Sequence, residues 1–286
     1  MNEQPTKLTS KVEIGCQGWN YEDWVTMPAS ESGIFYPRGT RASAMLETYA
    51  RVFRTVEVDS TFYAVPSAST VEGWARRTPS DFTFSLKLPQ IITHQLALRR
   101  GSEDVLAHFC HEARKLGAKL ASILIQLPPQ FEATPENSRA LREFLPLLPR
   151  DIRFAIELRD PFWFEETTLD LLSPYPHVCL ALVEAPWLRR ETLFHLAQRM
   201  HDPFAYIRWM GARDLTRFDI LQRPQDENLR SWSDLIRQLS ARTPDIYAYF
   251  SNFYEGHAPA SANKLKRLLG QPIVSPDELE SQPSLF

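Results

Sequence analysis

Segments in which apolar and polar residues alternate recur along the chain, and segments with apolar residues at helical spacing separate them. The clearest alternating segment covers residues 55–63. There Val56, Val58, Ser60 and Phe62 fall on one face of a strand, and Glu57, Asp59, Thr61 and Tyr63 fall on the other. Carboxylates are costly to bury unless other polar groups pair with them. We therefore expect the second face to lie against polar side chains from other strands.

Eight strands of this kind are predicted, at residues 12–19, 55–63, 82–89, 122–128, 153–160, 178–185, 204–211 and 246–253. Apolar residues at helical spacing follow each strand, for example Leu46, Tyr49 and Phe53 after the first. Alternation of strand and helix over roughly 250 residues is typical of a single (β/α)8 barrel of the TIM type. Because no linker interrupts the run, we predict one α/β domain over residues 12–269.

Composition narrows the class of protein further. The 286 residues carry a formal net charge of −3, which argues against a strong nonspecific grip on nucleic acid or anionic lipid. The polar start of the chain lacks the apolar core of a signal peptide, and no apolar run is long enough to span a bilayer. The three cysteines lie far apart, which is typical of reduced thiols. We expect a cytoplasmic protein without a membrane partner.

Polar residues recur near the ends of the predicted strands. In a (β/α)8 barrel these ends meet at one face, where functional sites lie. The acids are Glu57, Asp59, Glu157 and Glu184, the bases are Lys87, Arg159 and Arg208, and Gln126 and Asn252 stand at similar positions. A layer of salt bridges that only closes the barrel is the alternative. Removing each ion from water costs several kcal/mol, so the recurrence favours a site.

These residue types indicate acid–base or metal-assisted chemistry. Paired carboxylates can serve as general acid and base if their surroundings separate their pKa values, whereas neutralisation by nearby cations is the alternative. The predicted catalytic residues are Glu57, Asp59, Lys87, Glu157 and Glu184. The same acids, together with His94, can also supply ligands for Mg²⁺ or Mn²⁺. No nucleotide cofactor is expected, because the chain has neither GxGxxG nor a GxxxxGK[ST] loop.

A second group of residues is predicted to bind the substrate, which we expect to be a small anionic or sugar-containing molecule. Arginine binds anions with two parallel hydrogen bonds, and aromatic rings stack on sugars or bases, although some of these rings can simply cap the barrel. The predicted substrate-binding residues are Trp19, Tyr21, Thr61, Tyr63, His94, Gln126, Arg159, Trp163, Arg208 and Asn252.

Several motifs resemble those of a known family. The segment 15–24 reads GCQGWNYEDW, 55–63 reads TVEVDSTFY, 82–89 reads FTFSLKLP, 126–129 reads QLPP and 157–161 reads ELRDP. Together with Phe35-Tyr36-Pro37, Thr93-His94, Tyr206-Ile207-Arg208 and the stretch from Asn252 to Asn263, they resemble the DUF72 (YecE-like) proteins over roughly residues 12–269. The resemblance implies a TIM-type barrel, in agreement with the periodicity. It carries no assigned reaction.

The last segment, 270–286, has the composition of a flexible tail and ends in Gln-Pro-Ser-Leu-Phe. This ending resembles the Q-x-x-L-F peptide with which bacterial replication and repair proteins bind the sliding clamp. Leu285 and Phe286 would enter an apolar groove, and Gln282 would supply hydrogen bonds. The alternative is an apolar terminus without a partner.

Three functions fit the sequence. The first is a barrel enzyme of hydrolase type that uses strand-end carboxylates and Lys or Arg on a phosphate-bearing substrate, in nucleic-acid metabolism if the tail binds the clamp. The second is a barrel that binds or isomerises a sugar or small anion and has no role on nucleic acid. The third is a non-catalytic adaptor associated with the clamp.

Overall fold

The computed structural model describes residues 8–25, 35–275 and 278–279. Parallel strands dominate this part of the chain. They are β1 (Lys11–Gln17), β2 (Thr55–Val58), β3 (Thr83–Lys87), β4 (Leu120–Gln126), β5 (Phe154–Glu157), β6 (Val178–Leu180), β7 (Leu182–Glu184), β8 (Phe204–Trp209) and β9 (Asp245–Phe250). Each strand pairs in parallel with its neighbours in the order β6-β5-β4-β3-β2-β1-β9-β8-β7.

The sheet closes through an interrupted strand. β6 pairs with β5 and β7 pairs with β8, while Ala181 between them still donates its backbone N–H to Ile156 O at 2.9 Å. β6 and β7 are therefore two halves of one strand, and the described residues form a barrel of eight strand positions. The predicted (β/α)8 fold is confirmed. No described helix is both long and apolar enough to cross a membrane.

Helices surround the barrel. They are α1 (Ala42–Val52), α2 (Ala68–Arg76), α3 (Glu103–Ala113), α4 (Pro135–Phe144), α5 (Glu166–Leu172), α6 (Arg190–Arg199), α7 (Asp226–Ser240), α8 (Asn252–Glu255) and α9 (Ala258–Leu268). Several begin at a residue that caps them: Ser67 accepts from Thr70 N and Thr134 accepts from Asn137 N. Apolar faces of these helices and the outward faces of the strands form the main hydrophobic core.

The second predicted strand is shorter than expected. β2 ends at Val58, and the chain then turns into a 3₁₀ helix over Ser60–Phe62. Thr61 is buried at this turn and exchanges hydrogen bonds with the backbone of Lys87, at 2.8 Å to its carbonyl and 3.0 Å from its amide. The alternation predicted beyond Val58 is therefore wrong, and Asp59 and Tyr63 lie on a loop.

The inside of the barrel carries a layer of hydroxyl groups. Tyr249 bonds to Thr55 at 2.7 Å and to Ser85 at 2.8 Å, and Ser85 bonds to Ser122 at 3.0 Å. All four side chains are buried and partnered, which is what buried polar groups require. The three cysteines are buried and free.

Part of the predicted tail packs against the barrel. Gln271 donates its side-chain amide to Val12 O at 2.8 Å, near the start of β1, and Val274 packs against the main core. Leu279 is buried in the same core. The packed chain thus continues beyond the predicted boundary at residue 269. The predicted clamp-binding residues Gln282, Leu285 and Phe286 lie outside the described residues.

Candidate functional site

A fully buried arginine, Arg208 on β8, lies at the centre of the polar residues inside the barrel. Its Nε donates to Glu57 Oε2 at 2.9 Å, and its Nη2 donates to Glu57 Oε1 at 2.7 Å. Its Nη1 donates to Gln126 Oε1 at 3.1 Å and to Glu157 Oε2. The guanidinium therefore holds a bidentate pair with one carboxylate and binds a second.

The charges continue outward from Arg208 in both directions. On one side, Lys87 Nζ lies 3.6 Å from Glu57 Oε1 and 2.5 Å from Asp59 Oδ1. On the other side, Arg159 Nε donates to Glu157 Oε1 at 2.8 Å. We call this series the ion chain, and its members in order are Asp59, Lys87, Glu57, Arg208, Glu157 and Arg159. Three carboxylates alternate with three cations, so the formal charges cancel.

The ends of the ion chain are at the mouth of the barrel, which we define as the loops that follow the C-terminal ends of the strands. The side chains of Glu57, Arg208 and Glu157 are fully buried, whereas Asp59 is 36% exposed and Arg159 is 12% exposed. The three central members are thus sealed, whereas Asp59, Lys87 and Arg159 keep some contact with solvent.

Electrostatics keep the buried members charged. Burial would raise the pKa of Glu157, but Arg208 and Arg159 hold it below its ordinary value. Burial would also lower the pKa of Arg208, yet Glu157 and Glu57 raise it well above its usual range. Glu57 accepts a further hydrogen bond from Tyr206 at 2.6 Å. Glu157 is therefore a carboxylate at neutral pH and has no proton to donate as an acid.

His94 stands beside the Arg159 end of the ion chain. It belongs to a π-helical turn, Ile91–Gln95, that follows β3, and its Nδ1 bonds to Thr93 Oγ1 at 2.8 Å. Burial, together with the charge of Arg159, lowers the pKa of His94 below its ordinary value. Its imidazole is consequently neutral at pH 7 and can accept a proton.

Arg159 has an additional contact that the sequence analysis missed. Its guanidinium carbon lies 5.5 Å from the ring centroid of Trp187, which is a cation–π distance. Its Nη2 is buried and has no hydrogen-bond partner among the described residues. The only signal for Trp187 in the sequence was its place directly after a predicted strand.

The structure does not bring Glu184 together with the other acids. On β7, Val183 faces the barrel interior beside Arg208, so Glu184 faces the helices. Its carboxylate accepts hydrogen bonds from Trp232 Nε1 and, at 3.2 Å, from Asn228. Burial raises its pKa above the ordinary value. Its predicted place among the strand-end acids is therefore wrong, because it points the other way.

Two predicted substrate-binding residues hold loops together. Asn252 Oδ1 accepts from Trp24 Nε1 at 3.1 Å and from Ala258 N at 3.0 Å. Trp163 is buried, stacks on Phe131 and donates to its carbonyl at 2.9 Å. These contacts occupy the carbonyl oxygen of Asn252 and the indole N–H of Trp163, so neither group is left to bind a ligand.

The remaining predicted aromatic residues differ in accessibility. Trp19 is half-buried against Trp74, and Tyr21 donates to Gln17 O at 3.1 Å while its ring packs on Trp24. Tyr63, in contrast, is 74% exposed. The structure thus leaves Tyr63 free to meet a ligand.

The acids do not fit a divalent metal ion. Within the described ranges, no group of three or more His, Cys, Asp or Glu side chains is placed to hold a metal. Glu57 and Glu157 each face a guanidinium, and Asp59 faces an ammonium. Because the cations occupy the oxygens that a metal would need, we derive no step through Mg²⁺ or Mn²⁺.

A (β/α)8 barrel with polar side chains at the carboxyl ends of its strands defines a broad class of barrel proteins. Within that class, the chain belongs to the family described as "Protein of unknown function DUF72", whose model matches residues 13–284. The predicted resemblance is therefore confirmed.

Relatives agree with this assignment. The UPF0759 protein YecE of Escherichia coli K12 is 29% identical over 256 residues, which cover 82% of this chain and 87% of YecE. A DUF72 family protein from Thermotoga maritima has a TM-score of 0.74 at 27% identity and covers 91% of this chain and 100% of its own. The endoglucanase Cel5A of Pseudomonas stutzeri, at 11% identity and a TM-score of 0.50 over 93% of this chain and 94% of its own, shares the barrel fold.

Proposed function

We propose that the mouth of the barrel is a hydrolase-type site for a phosphate-bearing substrate. The observation that carries the proposal is Arg159. Only its Nε is taken by Glu157, while its Nη2 is buried without a partner in the part of the chain that the structure describes. An unpaired guanidinium nitrogen is costly to bury. The Arg159 side chain is 12% exposed at the mouth, so a small turn of its guanidinium would bring Nη2 to a phosphate oxygen.

Lys87 gives the site its second cation. Its ammonium is held by Glu57 from below and by Asp59 at the mouth, so it is fixed rather than mobile. A lysine binds phosphate as a point charge, whereas an arginine binds it with directed hydrogen bonds. Lys87 and Arg159, on opposite sides of Arg208 in the ion chain, would thus hold the anion from two sides.

Proton transfer falls to His94 in this proposal. The neutral imidazole can accept a proton from an attacking water, and its place beside Arg159 brings it to the anion. Among the carboxylates of the ion chain, Asp59 has the most solvent access, and its contact with Lys87 aims the ammonium into the mouth. Asp59 lies on a loop and His94 on the turn that follows β3, and catalytic groups are common in such connecting segments.

Glu57 and Glu157 take a supporting role. Both carboxylates are sealed from the mouth and bonded to Arg208, so neither reaches a substrate. They fix the positions of Lys87 and Arg159 instead. A substitution at either acid should therefore change substrate affinity through the displaced cation.

The experiment is a binding titration of inorganic phosphate by calorimetry, followed by hydrolysis assays with p-nitrophenyl phosphate and bis-p-nitrophenyl phosphate. Arg159→Gln should weaken phosphate binding about tenfold or more, since a hydrogen bond to a charged group contributes roughly 1.5–3 kcal/mol. Arg114→Gln is the matched control, because Arg114 pairs with Asp151 at the opposite end of the barrel. Equal phosphate affinity in the Arg159→Gln variant and the wild type would refute the proposal.

A further inference from the structure

Large apolar side chains are exposed mainly at one end of the molecule. Among the described residues, Tyr63, Ile91, Phe162, Trp187 and Ile220 are exposed on loops of the mouth. Leu147, between α4 and β5, is the exposed large apolar residue at the opposite end. Exposed apolar surface concentrated around a polar site is typical of a ligand-binding face.

Three of the exposed residues are aromatic and lie far apart around the mouth. Tyr63 follows β2, Phe162 follows β5, and Trp187 follows β7. In the strand order, the β6–β7 strand lies across the barrel from β2. A ligand that touches both Tyr63 and Trp187 must therefore cross the mouth, which favours a ligand built of several linked units.

An aromatic ring and a cation are combined at one of these positions. The guanidinium carbon of Arg159 lies 5.5 Å from the Trp187 ring centroid, and its Nη2 has no hydrogen-bond partner among the described residues. A flat apolar surface next to an anion-binding nitrogen matches a repeating unit that has a planar ring and a charged group. Exposed arginines lie on two other mouth segments, Arg100 before α3 and Arg213 after β8.

We propose that the rim of the mouth binds a single-stranded nucleic acid, with bases stacked on Tyr63, Phe162 and Trp187 and a phosphate held by Arg159. This inference rests on the proposed function and names its substrate class. A duplex hides the faces of its bases within its own stack, so the exposed rings favour unpaired strands. A neutral oligosaccharide would leave the unpaired nitrogen of Arg159 without an anion.

The test is fluorescence anisotropy with the full chain and labelled oligothymidylates of four and twelve nucleotides. A duplex of the same length and a labelled cello-oligosaccharide are the comparison ligands. The twelve-nucleotide strand should bind more tightly than the other three. Phe162→Ala and Trp187→Ala should each weaken its binding about tenfold, since stacking contributes roughly 1–3 kcal/mol per base. Leu147→Ala, an exposed apolar residue outside the rim, should leave the affinity unchanged.

Different failures have different meanings. Duplex binding as tight as single-strand binding, or oligosaccharide binding that depends on Phe162 and Trp187, would overturn the inference. If inorganic phosphate binds in an Arg159-dependent manner but the oligothymidylates do not bind, the nucleic-acid inference fails and the proposed function stands. If neither phosphate nor oligonucleotide binds, both fail.

Discussion

The two ends of the barrel both carry arginine–carboxylate pairs, but the pairs differ in depth and in connection. At the base, which we define as the end where the strands begin, Arg114 pairs with Asp151 and Arg153 pairs with Asp245. Each pair there is partly exposed and separate. At the mouth, the ion chain joins six charges, and its central arginine has no exposure.

The difference shows what each kind of pair does. Exposed pairs contribute little, about 0–1 kcal/mol, and need no special geometry. A buried chain is costly to desolvate, and apolar residues of similar volume often do as well. The protein keeps the costly arrangement at the end where the aromatic rim and the unpaired Arg159 nitrogen lie. We infer that the ion chain serves the site more than it serves stability.

The largest expected effect is the loss of the central cation. Arg208→Met removes the cation shared by two fully buried carboxylates and leaves, among the described cations, only Lys87 to Glu57 and only Arg159 to Glu157, so it should lower the free energy of unfolding by roughly 3–5 kcal/mol. Arg114→Met at the base should lower it by less than about 1 kcal/mol. Urea denaturation of both variants provides the measurement. Similar small losses would show that the ion chain is no different from a surface pair.

Substitution of the two glutamates that end β5 and β7 should have smaller and unequal effects on stability. Glu157→Gln removes the carboxylate that binds Arg208 and Arg159, and should cost about 1–3 kcal/mol at pH 7. Glu184→Gln should change stability by about 1 kcal/mol or less, because its carboxylate carries a burial cost that the amide lacks. Thermal or urea unfolding of each variant beside the wild type measures the contrast.

The same pair of variants should differ in pH dependence. The pKa of Glu157 is lowered in the folded protein. Its carboxylate therefore stabilises the fold at any pH above its ordinary pKa, and this stabilisation is lost as the pH falls below about 4. The pKa of Glu184 is raised in the folded protein, so its carboxylate lowers the free energy of unfolding at neutral pH. This destabilisation disappears as the carboxylate is protonated on acidification. The Glu157→Gln penalty should therefore shrink only below about pH 4, whereas the Glu184→Gln difference should already shrink as the pH falls towards about 4. A Glu157→Gln penalty that is constant with pH would contradict this account.

The alternation of residues predicted most of this architecture. Glu57 lies between Val56 and Val58, and the alternation of polar and apolar residues correctly placed its side chain inside the barrel. Strand ends were harder to predict, because Asp59 to Tyr63 continues the alternation while the chain has already turned. Periodicity reports which side chains share a face, but it does not report where backbone hydrogen bonding to the next strand stops.

Glu184 shows a second limit of the sequence. Its strand is apolar on both faces, since Leu182 faces the helices and Val183 faces the interior. Such a strand shows no alternation of polar and apolar residues, so the sequence could not predict on which side of the sheet Glu184 lies. Trp187 was missed for a related reason: whether an aromatic residue on a loop is buried or exposed depends on the neighbouring loops.

A subtler effect tests the coupling between the ion chain and the mouth. Because the charge of Arg159 helps to lower the pKa of His94, Arg159→Gln should move that pKa upward, toward the ordinary value. Titration of the His94 imidazole signals by NMR measures the change. Arg114→Gln at the base should leave the titration where it is. An unchanged His94 titration in the Arg159→Gln variant would separate the histidine from the ion chain.

The smallest expected effect on the mouth comes from the end of the chain. We propose that the Gln-Pro-Ser-Leu-Phe segment acts independently of the mouth, because Gln271, which precedes it in the chain, contacts Val12 near the base. A full-length variant with Leu285→Ala and Phe286→Ala should bind phosphate as the wild type does. We also propose that the wild type binds a purified bacterial sliding clamp, measured by surface plasmon resonance, and that this variant does not, because the two apolar anchors of the peptide are gone. If clamp binding survives both substitutions, the tail does not mediate it. If phosphate affinity changes, the tail and the mouth are coupled.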